Sequence, residues 1–202
     1  MDILLIRHGQ STADLEDRHE GRADFELTEL GRKQGLALGK WIKNNYRIDE
    51  ILSSTLKRAA ATAEYISGVT AVKVDYRDEL MEWDNGLLAG LYREEAERLF
   101  PLPPEGRLPH DEYAGTESMI NFRARAEIFL SSFLNRHNRD DTEKKICVIS
   151  HGGMINMIMR SFLRLPVDSN TSFITGDTGV HLLRIKDDKR VVVYLNRQDH
   201  LI

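Results

Sequence analysis

Apolar residues fall along this chain in two patterns. Ile3-Leu4-Leu5-Ile6 and Ile146-Cys147-Val148-Ile149 are uninterrupted short runs, the form of strands covered on both faces. Ile48 to Ser53 predicts another short strand, and Val72-Lys73-Val74 a weaker one. Elsewhere the spacing is helical. Leu30, Leu36, Leu38 and Trp41 predict an amphipathic helix with Thr28 as its N-cap. Leu56 to Ile66 predicts a second helix, and Met154 to Leu163 a strongly apolar one. Within Ser118 to Arg136, Ile120, Ala124, Ile128, Leu130 and Leu134 are spaced as one helical face. Val180 to Ile185 and Val191 to Leu195, separated by Lys186-Asp187-Asp188-Lys189-Arg190, read as a closing hairpin. Strands alternating with helices imply an α/β fold, a three-layer αβα sandwich around a mostly parallel mixed sheet.

The 202 residues suit one domain, 1–202, and no repeat or low-complexity tract divides them. Pro101 to Thr116 holds four prolines and two glycines, so a short insert is expected around residues 91–116. The formal net charge of -4 argues against a nucleic-acid binder, which carries a basic excess or stripe. It leaves room for an anionic ligand, because a few convergent arginines make a local positive well. Cys147 is the single cysteine, so no internal disulfide forms, and its apolar neighbours predict a buried thiol. No apolar run is long enough for a membrane span, and the amino terminus lacks the features of a signal peptide. A cytoplasmic location is the default expectation.

Two strand ends carry similar chemistry. The first run leads into Arg7-His8-Gly9 and the fourth into Ser150-His151-Gly152-Gly153. Ligands of open α/β sheets bind outside the carboxyl ends of the strands, where glycine permits close backbone approach. The strand near Ile51-Leu52 runs into Ser53-Ser54-Thr55-Leu56-Lys57-Arg58. If the three strands are neighbours, Arg7, His8, Arg58 and His151 converge, and with helix N-termini they make an anion site suited to phosphate. Singly, each has a commoner role, as a hydrogen-bonded surface histidine or a solvated arginine. A metal site is disfavoured because Arg7 adjoins His8 and no carboxylate follows at ligand spacing.

Several segments in order resemble the histidine phosphatase superfamily, which includes the cofactor-dependent phosphoglycerate mutases. Leu4-Leu5-Ile6-Arg7-His8-Gly9-Gln10-Ser11 is similar to its opening motif. Gly21-Arg22-Ala23-Asp24 with Leu27-Thr28-Glu29-Leu30-Gly31 resembles the segment before its first helix, and Ser53-Ser54 through Arg58 with Thr62-Ala63-Glu64 its second motif. Leu80-Met81-Glu82 with Gly86 and Gly90, Gly115-Thr116-Glu117-Ser118, and Val148 to Gly153 follow in sequence. The resemblance implies a phosphoglycerate mutase-like fold and a metal-independent phosphomonoester hydrolase without a cofactor. It assigns His8 as nucleophile, Glu82 as general acid and base, and Arg7, Arg58 and a protonated His151 as the phosphate clamp. Gly152, Asp14, Glu20 and Gly21 fall at positions that approach the substrate, and Trp83 and Tyr92 are candidates for the pocket wall.

One departure stands out. The family commonly has asparagine where this chain has Asp14. An ionised carboxylate repels a phosphate dianion, so Asp14 is expected to turn away, hold a proton or meet a cationic part of the substrate. Mutases of the family have a longer basic loop after the acid segment, whereas here Leu91 to Thr116 carries Arg93, Arg98 and Arg107. The shorter insert favours hydrolysis of a small phosphate ester over mutase chemistry. A non-catalytic phospho-ligand module is the rival from another class, and His8 together with Glu82 weighs against it. Oligomeric state is not readable from the sequence.

Overall fold

The two uninterrupted apolar runs become adjacent strands in the middle of a six-stranded sheet. The protein is represented by a computed structural model that describes residues 1–137, 143–187 and 189–202. Its strands are β1 Asp2–Arg7, β2 Glu50–Ser54, β3 Val74–Arg77, β4 Lys145–Ser150, β5 Val180–Lys186 and β6 Lys189–Arg197. Its helices are α1 Thr12–Glu16, α2 Glu29–Asn45, α3 Lys57–Thr70, α4 Arg93–Leu99, α5 Met119–Arg136 and α6 Gly152–Phe162. The sheet order is β3-β2-β4-β1-β5-β6. The first four strands pair in parallel and the last two antiparallel, the expected mixed sheet.

Successive side chains of β1 enter opposite cores. Ile3 and Leu5 pack with Phe122 of α5 and Met154 and Phe162 of α6. Leu4 and Ile6 pack with Leu38 and Ile42 of α2 and Ala59 and Ile66 of α3. A strand covered on both sides needs no polar alternation, and each such side chain contributes roughly 1.5–3 kcal/mol by burial. Cys147 lies wholly in the second core, as its neighbours predicted. No helix among the described residues is long and apolar enough to cross a membrane.

Two helices present faces other than those predicted. On α2, Leu30 and Leu36 are exposed, and the buried stripe is Gly31, Gly35, Leu38, Gly39 and Ile42. A Cβ at Gly39 would lie 2.6 Å from the Tyr65 carbonyl oxygen, so the glycine face lets α3 come close. Apolar periodicity misses a contact face made of glycine. On α5, Ile120 and Ile128 point outward while Phe122, Ala126, Phe129, Leu130 and Phe133 are buried; the aromatic side chains, with more apolar area, take the core side. Thr28 does cap α2, accepting from Gly31 N–H. The third parallel strand starts later than predicted, at Val74. β5 and β6 form the predicted hairpin, with Asp188 of its turn outside the described residues.

The parallel strands β1, β2 and β4 end at one level, with Arg7 opposite Ser150 and Ser53 opposite Ile149. The chain leaving those ends carries Arg7-His8, Ser54 and His151, the side of an open sheet where ligands bind.

Candidate active site

His8 leaves β1 fully buried, with both ring nitrogens assigned by their partners. Nδ1 lies 2.7 Å from the Gly9 carbonyl oxygen, which only accepts, so Nδ1 carries the hydrogen. Nε2 lies 3.3 Å from Nε of Arg58, which only donates, so Nε2 keeps its lone pair. Thr62 of α3 accepts from Gly9 N–H at 3.1 Å and donates to the Arg58 carbonyl, holding the loop in place. Burial, then the charges of Arg58 and Arg7, keep the His8 imidazole well below its ordinary titration range.

Arg58, in the first turn of α3, is completely buried. Its Nη1 donates to Ala23 O at 3.0 Å and its Nη2 to Gly21 O at 2.8 Å, so the guanidinium is aimed before any ligand arrives. His151 caps α6, its ring centroid 5.1 Å from that of His8. Ser54, at the end of β2, lies 2.8 Å from His151 Nε2 and accepts from Leu56 N–H. With the Ser54 hydroxyl donating to Nε2, the ring hydrogen lies on His151 Nδ1, a buried atom with no hydrogen-bond partner among the described residues. That is a neutral donor ready for an oxyanion.

Without a bound anion, the surroundings of His151 disfavour its charged form. Burial, Arg58, His8 and Arg7 together hold it well below the ordinary histidine range, because a second cation beside Arg58 is costly to bury. Nitrogen-15 NMR of the protein alone at about pH 6, near the ordinary midpoint, should therefore show both His8 and His151 as neutral Nδ1–H imidazoles. Half-protonated rings at that pH would refute the electrostatic picture.

Glu82 meets α6 from the other side of the pocket. Its carboxylate accepts from Gly153 N–H at 2.8 Å, Met154 N–H at 3.0 Å and Trp83 N–H at 2.9 Å. A helix N-terminus offers free N–H groups to an anion, and Gly153 makes room, since a Cβ there would lie 2.5 Å from Glu82 Oε1. The backbone carrying Glu82 is tied down by Arg125 of α5, which donates to the carbonyls of Glu79, Met81 and Glu82 at 2.5–3.0 Å. Arg125 is paired in turn with Glu117 at 2.8 Å. Ser150 Oγ donates to Leu80 O at 2.7 Å.

Asp14 lines the pocket and is engaged by Arg7 and by the start of its own helix. It is the third residue of α1, where it accepts from the backbone of Ser11 and completes a capping box, and it pairs with Arg7 Nη2 at 3.1 Å. Arg7 also donates to Thr175 O at 3.0 Å and faces Asp177 at 3.4 Å. Glu20 reaches further in, accepting from Ser11 Oγ and standing 3.4 Å from Arg58 Nε and 3.8 Å from His8 Nε2. Gly21 follows in a left-handed conformation, φ 50°, which lets its carbonyl meet Arg58.

A cavity of about 600 Å³ is lined by Arg7, Asp14, Glu20, Gly21, Glu82, Trp83 and Gly153, with Asp17, Arg18, His19, Asn85 and Arg93 also on its wall; His8, Arg58 and His151 are buried and are not part of the lining. Gly152 opens α6 directly after His151. Of the two aromatic candidates, Trp83 lines the wall, while Tyr92 lies outside it, stacked under Arg18 at 3.7 Å. Residue-by-residue reading missed Arg125, Asp177, Thr175 and the hydroxyl of Ser54. Ser54 falls inside the second motif, where no role is assigned to it; the other three carry no local pattern.

The model of the histidine phosphatase superfamily (branch 1) matches residues 3–198. Phosphoserine phosphatase 1 of Hydrogenobacter thermophilus is 27% identical, over 98% of this chain and 93% of its own length. A metal-independent phosphoserine phosphatase of Arabidopsis thaliana is also 27% identical, over 99% of this chain and 83% of its own. Among solved structures, an alanine variant of phosphoserine phosphatase from Entamoeba histolytica, in complex with phosphoserine, superposes with a TM-score of 0.81 at 24% identity, covering 100% of this chain and 99% of that one. With a family model spanning nearly its whole length and a buried histidine pair at the ends of two parallel strands, the chain belongs to the histidine phosphatase superfamily.

Proposed function

We propose that the protein hydrolyses small phosphate monoesters without a metal, with His8 as the group that takes the phosphoryl. The observation that carries this is the tautomer of His8: its Nδ1 hydrogen is spent on Gly9 O, and its Nε2 lone pair is the nucleophile. The Nε2 lone pair attacks phosphorus in line and the bond to the ester oxygen breaks, giving phosphohistidine. Glu82, in its acid form, supplies the proton that the departing alkoxide needs. In the second step Glu82 takes a proton from water as water attacks the same phosphorus, releasing phosphate and freeing His8. Arg7, Arg58 and the Nδ1–H of His151 receive the equatorial oxygens, where transition-state charge gathers. These donors are fixed beforehand by Gly21, Ala23, Thr175 and Ser54, so little reorganisation is left for the reaction. Gly152, Asp14, Glu20 and Gly21 border the same space; Asp14 acts there by orienting Arg7.

Phosphoserine is the first ester to offer, because relatives spanning the chain are phosphoserine phosphatases. Wild-type protein should release phosphate from phosphoserine or from a panel of sugar and glycerate phosphates with EDTA present. Quenching during turnover of a radiolabelled ester should leave label on the peptide that holds His8, labile to acid and stable to base. No release from any ester would return the protein to the binding-module reading, and EDTA-sensitive release would exclude the metal-independent route.

A further inference from the structure

Glu20 occupies a position that the proposed chemistry does not use. For in-line attack a phosphorus atom must stand about 3–3.5 Å from His8 Nε2, with its oxygens within reach of Arg58. The two carboxylate oxygens of Glu20 stand 3.8 Å from that nitrogen and 3.4 Å from Arg58 Nε. The carboxylate is also held by the Ser11 hydroxyl, the N-cap of α1. Two oxyanions cannot both take this volume with full charge: at about 4 Å, unit charges repel by about 4 kcal/mol at an effective dielectric of 20.

We propose that Glu20 is a built-in competitor for the phosphoryl seat, which an ester takes only together with one proton shared between the carboxyl and a phosphoryl oxygen. This rests on the pocket being a phosphoryl site. Glu20 then sets which anions enter: an oxyanion able to accept a hydrogen bond from a carboxyl group is admitted, and at alkaline pH the pocket closes to all dianions. The groups facing Glu20 are Arg7 and His8 from the end of β1, Ser11 and Asp14 from α1, Arg58 from α3 and Glu82 across the cavity. His8 stays neutral for the reasons given above. Burial pushes the Glu20 carboxyl upward and Arg58 opposes it, so its titration lies on the neutral side of the ordinary carboxylate range. Below that titration the seat is open to anions; as pH rises through it, the seat is lost.

Inorganic sulfate is a suitable probe because it stays a dianion throughout the neutral range, so any pH dependence of its binding belongs to the protein. Its binding to wild type and Glu20→Gln should be followed by calorimetry across that range, with ester hydrolysis assayed on the same preparations. Glutamine retains acceptors for Ser11 and Arg58 while removing the charge. Wild-type affinity should fall by about tenfold per pH unit above the Glu20 titration. Glu20→Gln should bind sulfate at least about tenfold more tightly at the alkaline end and show a flat profile. Equal affinities and equal slopes in two proteins that both hydrolyse esters would overturn the role of Glu20 and leave the catalytic reading intact. A slope that persists in Glu20→Gln would assign the proton to Asp177, whose carboxyl is also raised by burial beside Arg7, and would equally overturn it. Failure of both proteins to bind sulfate or hydrolyse any ester would remove the phosphoryl site itself.

Discussion

His8→Ala should abolish phosphate release, lowering kcat by at least about 10⁴-fold, as expected when a nucleophile is removed from a concerted site. It should leave the protein folded and able to bind anions. His8 is buried, but its ring stands beside the polar side chains of His151 and Arg58, so the space left can be filled by water. Arg7, Arg58 and His151 keep their protein partners without it. The measurement is kcat on the best ester beside a sulfate titration and a thermal melt. Lost turnover with retained sulfate binding and melting temperature assigns His8 to the chemical step. Turnover within about tenfold of wild type would exclude a phosphohistidine route.

Much of this pocket was legible because parallel-strand physics writes it locally. An apolar run followed at once by Arg7-His8-Gly9, and another followed by Ser150-His151-Gly152, mark strand ends as places where polar side chains cluster. Their convergence needed only β1 and β4 to be adjacent, which they are. Asp14 was readable as a misfit but not as a partner of Arg7, since seven residues of separation say nothing about a helix of five residues folding the chain back. The helices were less legible than the strands. A buried glycine stripe on α2 leaves no apolar signal, and α4, whose only buried side chain is Ala96, has no stripe to detect. Arg125 was invisible for a different reason. Its role depends on α5 lying beside the Glu82 segment, more than 40 residues away in sequence, and an arginine on a helix ordinarily faces solvent.

Glu82→Gln tests the acid independently of the nucleophile, through the leaving group. Phosphoserine and sugar phosphates depart as poorly stabilised alkoxides, which need a proton as the ester bond breaks. A nitrophenyl ester departs as a stable phenolate and needs far less help. Loss of the acid should therefore lower kcat for the alkyl esters by about 10²–10⁴-fold, and for the nitrophenyl ester by much less in the first step. Because Glu82 also activates water, phosphohistidine should then accumulate on the nitrophenyl ester, visible as a burst of nitrophenolate followed by slow turnover. Glutamine keeps an oxygen to accept from the α6 N-terminus, though it brings an amide NH₂ to face the N–H groups of Gly153 and Met154. That exchange displaces the side chain rather than the helix, so a melt near wild type is expected beside the kinetic defect. A uniform loss across alkyl and aryl esters, with no burst, would mean that Glu82 only shapes the pocket, and the proton would have to come from the carboxyl that stands beside His8, that of Glu20.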